Sequence, residues 1–542
     1  MSQRIAVIAG IGAIIILFCP GGPRGAKAGP YGQDRSIDAE RLGPFPEKPI
    51  SLRTSPDELH AAYGAADLGR QILFVDGVEG PAFDEIEPGS VIFSPDGRRT
   101  GVKGRRGASW YMVVDGIPGP GHAVKPSDYI HFSADGGRWA YVGRFNPVEA
   151  VVVDGTPGPG FDQIYPSSPL LSPDGRYVFY AARLGTAWIV VVDRQPSPAY
   201  DEIGNVSLKF SPDGRRFAYY AWKDHLARMV IDGRASPSYA LVDNFSFSPD
   251  SRHTVYAAGK WGGPVRVFLD DTAGPQFQLI DRVVFSPDSA QAVYEAREDG
   301  KRFMVAGGKL GPAYEEIRLG PFFSPDGRRI AYGAKKGSKF VMVVDGAEGP
   351  PYDRLGDPVF SADGARVAYS AAIGKQWLVV DQGRPGPFCD EIGYESLHLS
   401  PDGQRIDYVA KKSGTSRVVA DGQPGPEFDA VFGLTLQFSP DGRRVAYAAE
   451  KGKKNLAVID GNVGPEYDDV RSIAFSADSL HVAYRVKSGA KQFMVVNGRP
   501  GPEYDLILGE KTIFRGDAGL EYLAVKDHVL YRVRHPAPRP GD

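Results

Sequence analysis

The residues of this sequence that could do chemistry are carboxylates and histidines, and many of the carboxylates recur at a fixed spacing. An aspartate stands in a turn-like phrase, most often Ser-Pro-Asp-Gly, thirteen times at intervals of 37 to 39 residues. A carboxylate can act as a general acid or base or bind a metal, but a site needs such a residue once and not in every copy. We therefore interpret these aspartates as acceptors that close their own turns. They are Asp57, Asp96, Asp135, Asp174, Asp213, Asp250, Asp288, Asp326, Asp363, Asp402, Asp441, Asp478 and Asp517.

Histidine, serine and cysteine chemistry has no motif in this chain. The nine histidines show no H-E-x-x-H spacing, and no G-x-S-x-G nucleophile turn is present. The sequence therefore gives no catalytic residue, metal ligand or cofactor, and most histidines are interpreted as surface residues or variants of the repeat. Cys389 stands where other copies carry tyrosine, for example Tyr200 and Tyr352, and is predicted to be a buried apolar residue.

The better candidates for function are charged residues that break the repeat. They lie in or near the loop that leads into the first strand of each unit, which in a ring of blades would reach a central funnel. Acidic and basic groups converging there could bind a small ligand, a peptide or an ion, although the same loops could equally be solvated and bind nothing. The candidates are Lys125, Asp128, Asp243, Asp281, Arg282, Arg318, Asp357, Glu395, Arg471, Glu510 and Lys511.

The repeat also predicts the elements that position these loops. In the unit from Gly425 to Gly461, we predict a short outer strand up to Val431, then strands at 435–438, 445–449 and 456–459. Tight turns of the Ser-Pro-Asp-Gly and Asp-Gly types join them. Four short antiparallel strands in about 40 residues, repeated along the chain, indicate the blade of a β-propeller.

Thirteen such units predict an all-β fold of tandem β-propellers with four-stranded blades of about 38 residues. Because a propeller typically has four to eight blades, we expect two rings, seven blades and then six. The variant Leu-Gly-Pro at 42–44 and again at 310–312 suggests two ring starts, whereas the irregular segment 270–273 would favour six and then seven. The segment 41–47 matches an outer strand and is expected to close a ring by pairing with its last blade.

The phrase Phe210-Ser211-Pro212-Asp213-Gly214-Arg215-Arg216-Phe217-Ala218-Tyr219 resembles the WD-like propeller repeat of TolB-type proteins. It is also similar to repeats in the propeller domains of prolyl-oligopeptidase-type enzymes, whose hydrolase domain has no counterpart here. The resemblance covers about residues 41 to 535 and implies the fold, together with a binding or scaffold role.

The N-terminus indicates export. Arg4 precedes an apolar run from Ile5 to Phe18, and Ala26-Lys27-Ala28 matches a signal-peptidase site, so cleavage is predicted after Ala28. An uncleaved anchor and lipid attachment at Cys19 are the alternatives, the second disfavoured by the large Phe18. The predicted divisions are a signal peptide at 1–28, a linker at 29–40, a first propeller at 41–306, a second at 307–535 and a tail at 536–542.

We therefore expect a periplasmic or secreted, non-enzymatic binding or scaffold protein with a protein or glycan partner in the cell envelope. A net charge of −3 gives no electrostatic reason to expect nucleic acid, and no stable membrane span is expected after cleavage. The alternatives are a carbohydrate-active lyase or hydrolase with a funnel active site, which requires carboxylates or histidines clustered in one channel, and a ligand or ion sensor without turnover.

Overall fold

The computed structural model describes residues 37–122, 130–165, 169–204, 207–515 and 519–536. These residues form thirteen antiparallel blades of four strand positions each, which confirms the predicted all-β propeller fold. The one helical element in these ranges is a single 3-10 turn at Gly433–Thr435. None of the described residues forms a helix long and apolar enough to span a bilayer. The predicted signal peptide lies outside the described residues.

Each blade is a sheet in which the chain runs from the innermost strand outwards. In order of the blades, the innermost strands, several of them in two halves, are Ile50–Thr54; Glu85–Ile86 with Ile92–Phe93; His131–Phe132; Gln163–Ile164 with Leu170–Leu171; Glu202–Ile203 with Lys209–Phe210; Leu241–Phe247; Leu279–Phe285; Glu316–Phe323; Arg354–Phe360; Glu391–Ile392 with His398–Leu399; Ala430–Val431 with Gln437–Phe438; Asp469–Phe475; and Leu506–Ile507 with Phe514–Arg515.

The second and third strands form the hairpin at the centre of each blade. The second strands are Ala61–Asp67, Thr100–Arg106, Trp139–Arg144, Val178–Leu184, Phe217–Lys223, Thr254–Gly259, Ala292–Glu298, Ile330–Lys336, Val367–Ile373, Ile406–Lys412, Val445–Lys451, Val482–Ser488 and Gly519–Lys526. The third strands are Arg70–Val75, Ser109–Val114, Glu149–Val153, Ala187–Val192, Leu226–Ile231, Val265–Leu269, Lys301–Ala306, Lys339–Val344, Gln376–Asp381, Thr415–Ala420, Lys454–Ile459, Lys491–Val496 and Val529–His535.

The outermost strands are short and mostly exposed. They are Val78–Phe83, Ile117–His122, Thr156–Pro157, Gln195–Pro196, Arg234–Ala235, Thr272–Phe277, Lys309–Leu310, Ala347–Tyr352, Arg384–Pro385, Gln423–Pro424, Asn462–Tyr467, Arg499–Pro500 and, for blade 13, Asp38–Pro44. The prediction for the unit from Gly425 to Gly461 misplaced one element, because Ala430–Val431 is the first half of an innermost strand and the outermost strand is Gln423–Pro424.

The repeated aspartate is a structural residue of the turn. In blade 5 the Ser211 hydroxyl donates to Asp213 Oδ1 at 2.6 Å and accepts the backbone N–H of Arg216 at 3.0 Å. The Ser211 hydroxyl, as the largest cause, and the backbone N–H of Arg215 hold the pKa of Asp213 below its ordinary value. Gly214 has a φ of +75°, and a Cβ there would lie 2.9 Å from Asp174 Oδ1 of the preceding blade. The Ser–Asp bond recurs in all twelve turns whose aspartate the structure describes.

The residue three positions after that aspartate joins neighbouring blades. Arg216 donates from Nε to Asp232 at 2.9 Å and from Nη1 to the carbonyl of Arg252 in the next blade at 2.8 Å. His60 and His253 occupy the same position and pair with the corresponding aspartates, each at 2.6 Å. These two histidines are variants of the repeat, as the sequence predicted.

The apolar core lies between the blades. Thirteen buried clusters are present among the described residues, one at each junction of consecutive blades. Twelve of them contain the tyrosine that ends the repeated phrase, as Tyr219 does in blade 5, and we call it the repeated tyrosine. The cluster between blades 7 and 8 joins Val293 to Tyr332. The cluster between blades 13 and 1 joins Leu523 to Tyr63. The blades therefore form one continuous ring.

The strand Asp38–Pro44 closes this ring by pairing with Val529–His535 of blade 13. The closing role predicted for the segment 41–47 is therefore confirmed, but at blade 13 and not at a seventh blade. The division into seven and six blades is not shown, because blade 7 packs on blade 8 like any other neighbour. Lys309–Leu310, which carries the second Leu-Gly-Pro variant, pairs with Val305 and Ala306 as an ordinary outermost strand.

Cys389 is 5% exposed and lies in the cluster between blades 9 and 10. Burial raises the pKa of its thiol to about 11, so the thiol stays protonated at neutral pH. This confirms the prediction of a buried apolar residue.

Candidate functional site

The pairing of the innermost strand breaks in its middle. In blade 6 the register shifts between Asp243 and Ser246, and in blade 12 between Arg471 and Ala474. In blades 10 and 13 the break is long enough to divide the strand into two halves. We call these interruptions the inner bulges. Because the innermost strands of neighbouring blades face one another around the ring, the inner bulges line its channel.

The residues that the sequence singled out lie at or within these inner bulges. The described ones are Asp243 of blade 6, Asp281 and Arg282 of blade 7, Arg318 of blade 8, Asp357 of blade 9, Glu395 of blade 10, Arg471 of blade 12, and Glu510 and Lys511 of blade 13. Lys125 and Asp128 lie outside the described residues. Whether any of them binds a ligand stays a prediction.

Three of these residues come together at the junction of blades 12 and 13. Arg471 and Glu510 line a cavity of about 470 Å³, whose wall also includes Asp469, Arg485 and Lys487. Lys511 lines a small adjoining cavity together with Arg485. We call the larger space the Arg485 cavity.

Arg485 holds the inner bulge of the next blade. Its Nη1 donates to the carbonyl oxygens of Ile507 at 3.2 Å and Gly509 at 2.7 Å. The pKa of Arg485 is lowered, first by burial and then by the nearby guanidinium of Arg471, although carboxylates in the vicinity oppose the shift. Arg485 thus connects blade 12 to the inner bulge of blade 13.

The inner bulge of blade 13 is fixed from both sides. The Ser472 hydroxyl of blade 12 donates to the Glu510 carbonyl at 2.5 Å. From blade 1, the Glu58 carboxylate accepts the backbone N–H groups of Glu510 at 2.9 Å and Lys511 at 3.0 Å. Arg471 in turn is held by Asp469 through a contact of 2.6 Å. The wall of the Arg485 cavity is therefore preorganised.

Sequence reasoning missed Arg485 because it lies in a strand and not in a loop. The signal was available, since Arg485 follows the repeated tyrosine, and that position is glycine, alanine or serine in about half the blades, for example Ala257 and Ala448. Three other blades also depart from the repeat at this position and carry a long polar side chain there. These residues are Lys103, Tyr220 and Glu295. Lys103 lies 3.1 Å from Glu87, and the Tyr220 hydroxyl accepts the N–H of Phe245 at 2.7 Å.

Blade 7 carries the arrangement that most resembles a carboxylate pair. Asp281 and Glu295 are direct cross-strand partners. Each lies 2.5 Å from an arginine, Asp281 from Arg297 and Glu295 from Arg302. The two carboxylates are thus engaged in ion pairs, which are typical of a structural network and leave neither prepared for acid–base work.

Blades 10 and 11 add an apolar part to the channel wall. Tyr394 and Leu434 are 79% and 74% exposed, and Gly433 packs against the backbone of Tyr394. A hydrogen bond to Glu395 and the charge of nearby Asp357 raise the pKa of Tyr394. An exposed aromatic group beside two carboxylates suits contact with a polar macromolecule. Across the ranges that the structure covers, no three histidine, cysteine or acidic side chains are grouped as metal ligands would be.

Comparison with known proteins gives similarity of fold only. No family model matches the chain, and no curated protein is similar to it in sequence. Among solved structures, a eukaryotic initiation factor aligns over 59% of this chain and 97% of its own length, with 13% identity and a TM-score of 0.32. TolB from Acinetobacter baumannii aligns over 47% of this chain and 77% of its own, with 16% identity and a TM-score of 0.21. The Dos1 propeller aligns over 61% and 92%, with 10% identity and a TM-score of 0.24.

Proposed function

We propose that this chain is a non-enzymatic, extracytoplasmic binding or scaffold protein, and that the inner bulges form the surface that contacts a protein or glycan partner of the cell envelope. The observation that carries the proposal is the position of the residues that break the repeat. They gather at the inner bulges, outside the apolar clusters that join the blades and outside the turns that the repeated aspartates close. TolB-like repeats, to which the sequence is similar, accord with this role.

The chemistry of the channel wall supports binding more than turnover. Its charged groups are of both signs and are largely engaged with one another or with backbone groups, as Arg282 is with the carbonyl of Gly320 at 2.9 Å. Fixed charges of both signs with exposed Tyr394 and Leu434 offer specificity and apolar contact area. The carbohydrate-active alternative would rest on Asp281 and Glu295, and their arginine partners disfavour it.

The extracytoplasmic location is proposed from the N-terminal sequence. Arg4, the apolar run to Phe18 and the Ala26-Lys27-Ala28 site have the composition of a signal peptide. N-terminal sequencing of the mature chain from fractionated cells tests this, with Gly29 expected as its first residue. A chain recovered from the cytoplasm with its N-terminus intact would contradict the location and leave the binding proposal standing.

Binding is tested by immobilising the purified chain and measuring saturable retention from envelope extract. A variant with Arg471→Ala, Glu510→Ala and Lys511→Ala removes two cations and one anion from the inner bulges. Its matched control removes the same charges from exposed outermost strands, by Glu79→Ala, Lys309→Ala and Arg384→Ala.

We expect the wild type and the control to retain one saturable protein or glycan, and the bulge variant to bind it at least about tenfold more weakly. Circular dichroism and urea unfolding establish that both variants fold. The proposal is wrong if the wild type retains nothing saturably, or if both variants lose binding equally.

A further inference from the structure

The Arg485 cavity has the composition of a site for a single anion. Its wall carries three cations, Arg471, Arg485 and Lys487, and two carboxylates, Asp469 and Glu510. Among these lining groups one positive charge is therefore in excess, and the charges of Lys511 and Glu58 beside the cavity offset each other. A monoanion such as a carboxylate matches this excess, whereas a dianionic phosphate exceeds it.

Arg485 has donors left for a ligand. Within the described part of the chain, Nη1 is its one hydrogen-bonded nitrogen, and the acceptors are two backbone carbonyls of blade 13. Its Nε and Nη2 make no hydrogen bond to any described residue of the chain. A guanidinium presents Nε and Nη2 side by side, which is the geometry that binds the two oxygens of a carboxylate.

Apart from Gln492 and Gly509, the rest of the cavity wall is aliphatic. Its lining includes Leu52, Val486, Leu506, Ile507 and Leu508. A volume of about 470 Å³ lies within the range of small-molecule sites. Aliphatic side chains next to a guanidinium suit a ligand with an anionic head and an apolar body.

We propose that the Arg485 cavity binds a small monocarboxylate carrying an aliphatic group, with Nε and Nη2 of Arg485 as the anchor of its carboxylate. This deepens the proposed function, on which it rests, by giving one part of the channel wall a ligand class. The free carboxyl end of a peptide with an aliphatic last residue has this chemistry.

The test is calorimetric titration of the full chain with N-acetyl-leucine, and with N-acetyl-leucinamide as the neutral analogue of the same shape. We expect saturable binding of the acid below about 10 mM and at least about tenfold weaker binding of the amide. Equal binding of the two compounds, or no saturation by the acid, would overturn the proposal.

Variants assign the effect to the anchor. Arg485→Ala is compatible with the fold because alanine stands at the same position in blade 11, as Ala448. We expect it to bind the acid at least about tenfold more weakly, and Arg485→Lys to fall between it and the wild type. Arg384→Ala, which removes an exposed arginine of an outermost strand, is expected to stay within about twofold of the wild type. An unchanged affinity of Arg485→Ala for the acid would refute the role of Arg485 as the anchor. If that variant does not fold, the comparison of the acid with the amide on the wild type tests the proposal.

The titration needs no macromolecular partner, so it is separable from the test of the proposed function. A chain that binds N-acetyl-leucine through Arg485 but retains nothing from envelope extract would uphold the cavity and refute the partner. A chain that retains a partner from the extract but does not bind N-acetyl-leucine would uphold the proposed function and refute the cavity proposal.

Discussion

Asp407 is a buried carboxylate at a strand position where most blades carry a small apolar residue, and its effect on stability can be measured. It precedes the repeated tyrosine of blade 10, at a position that is alanine in seven other blades. Its side chain is fully buried, and neither carboxylate oxygen has a hydrogen-bond partner among the described residues. Arg405 Nη2 lies 3.5 Å away, and His398 is its cross-strand neighbour.

The surroundings of Asp407 disfavour its ionised form. Burial is the largest cause and raises its pKa from 3.8 to about 7, helped by Asp421 and opposed by Arg405. Burial also lowers the pKa of His398, which is therefore neutral at pH 7. The pKa of Tyr447 on the facing blade is raised, chiefly by its own burial and additionally by Asp407.

The sign of the pH dependence follows from this raised pKa. Between pH 4 and pH 7 the native state binds a proton at Asp407 that the unfolded state has released, so stability falls as the pH rises. A shift of about three units corresponds to roughly 4 kcal/mol above pH 7. Asp407→Ala removes this cost and loses roughly 1–2 kcal/mol of packing and ion-pair contact. We expect a net gain of roughly 2–3 kcal/mol at pH 8 and a small loss at pH 4.

The assay is urea unfolding of the wild type and Asp407→Ala from pH 4 to pH 8. Glu521→Ala is the matched control, because Glu521 holds the same position in blade 13 but is partly exposed and pairs with Arg534 at 3.1 Å. Glu521→Ala is expected to give no gain in stability over the wild type at pH 8. A stability difference between Asp407→Ala and the wild type that does not grow with pH would refute the reasoning.

Three further predictions concern the repeat, the thiol and the ring. Gly327→Ala should destabilise the chain by roughly 2–3 kcal/mol in urea unfolding, because the φ of Gly327 is +74° and a Cβ there would lie 2.7 Å from Asp288. Gly337→Ala is the control, because a Cβ at Gly337 would meet no atom within 4 Å, and it should cost about 1 kcal/mol of stability. Cys389 should react with a thiol reagent only after unfolding, and rapid reaction of the native chain would contradict its burial and its pKa of about 11. The fragment 38–306 should aggregate, since its first and seventh blades would each expose an apolar face, and a monodisperse, folded fragment would instead support a ring of seven.

The blades were predictable because each is specified locally. The turn aspartate, the tyrosine and the Asp-Gly turns recur with one period, and each acts within its blade or on the next. The number of rings was not predictable in this way. Closure depends on the angle between blades, which many side chains at each junction set together, and the Leu-Gly-Pro variant at 310–312 has no part in it.

The candidate site was predictable in part for the same reason. Arg471, Glu510 and Lys511 depart from the repeat at the inner bulges, in segments that the sequence presented as variable loops. Arg485 and Asp407 depart from it inside a strand, on either side of the tyrosine that fixes the register. Comparing every strand position across the thirteen copies, and not only the loops, would have found both.

The Arg485 cavity depends on ring closure, because residues from both ends of the chain hold its wall. Arg485 belongs to blade 12, Glu510 to blade 13 and Glu58 to blade 1, so the inner bulge that Arg485 holds is also held across the point where the chain's two ends meet. Removing the closing strand Asp38–Pro44 exposes the edge of blade 13 and frees blade 1 to move away from it. Such a chain should lose carboxylate binding even where its other blades stay folded, whereas a cavity built by blades 12 and 13 alone would keep it. Hydrogen exchange of blades 4 to 10 is measured together with the N-acetyl-leucine titration, to show whether these blades stay folded. If their amides stay protected while binding is lost, the loss results from the missing ring closure and not from general unfolding.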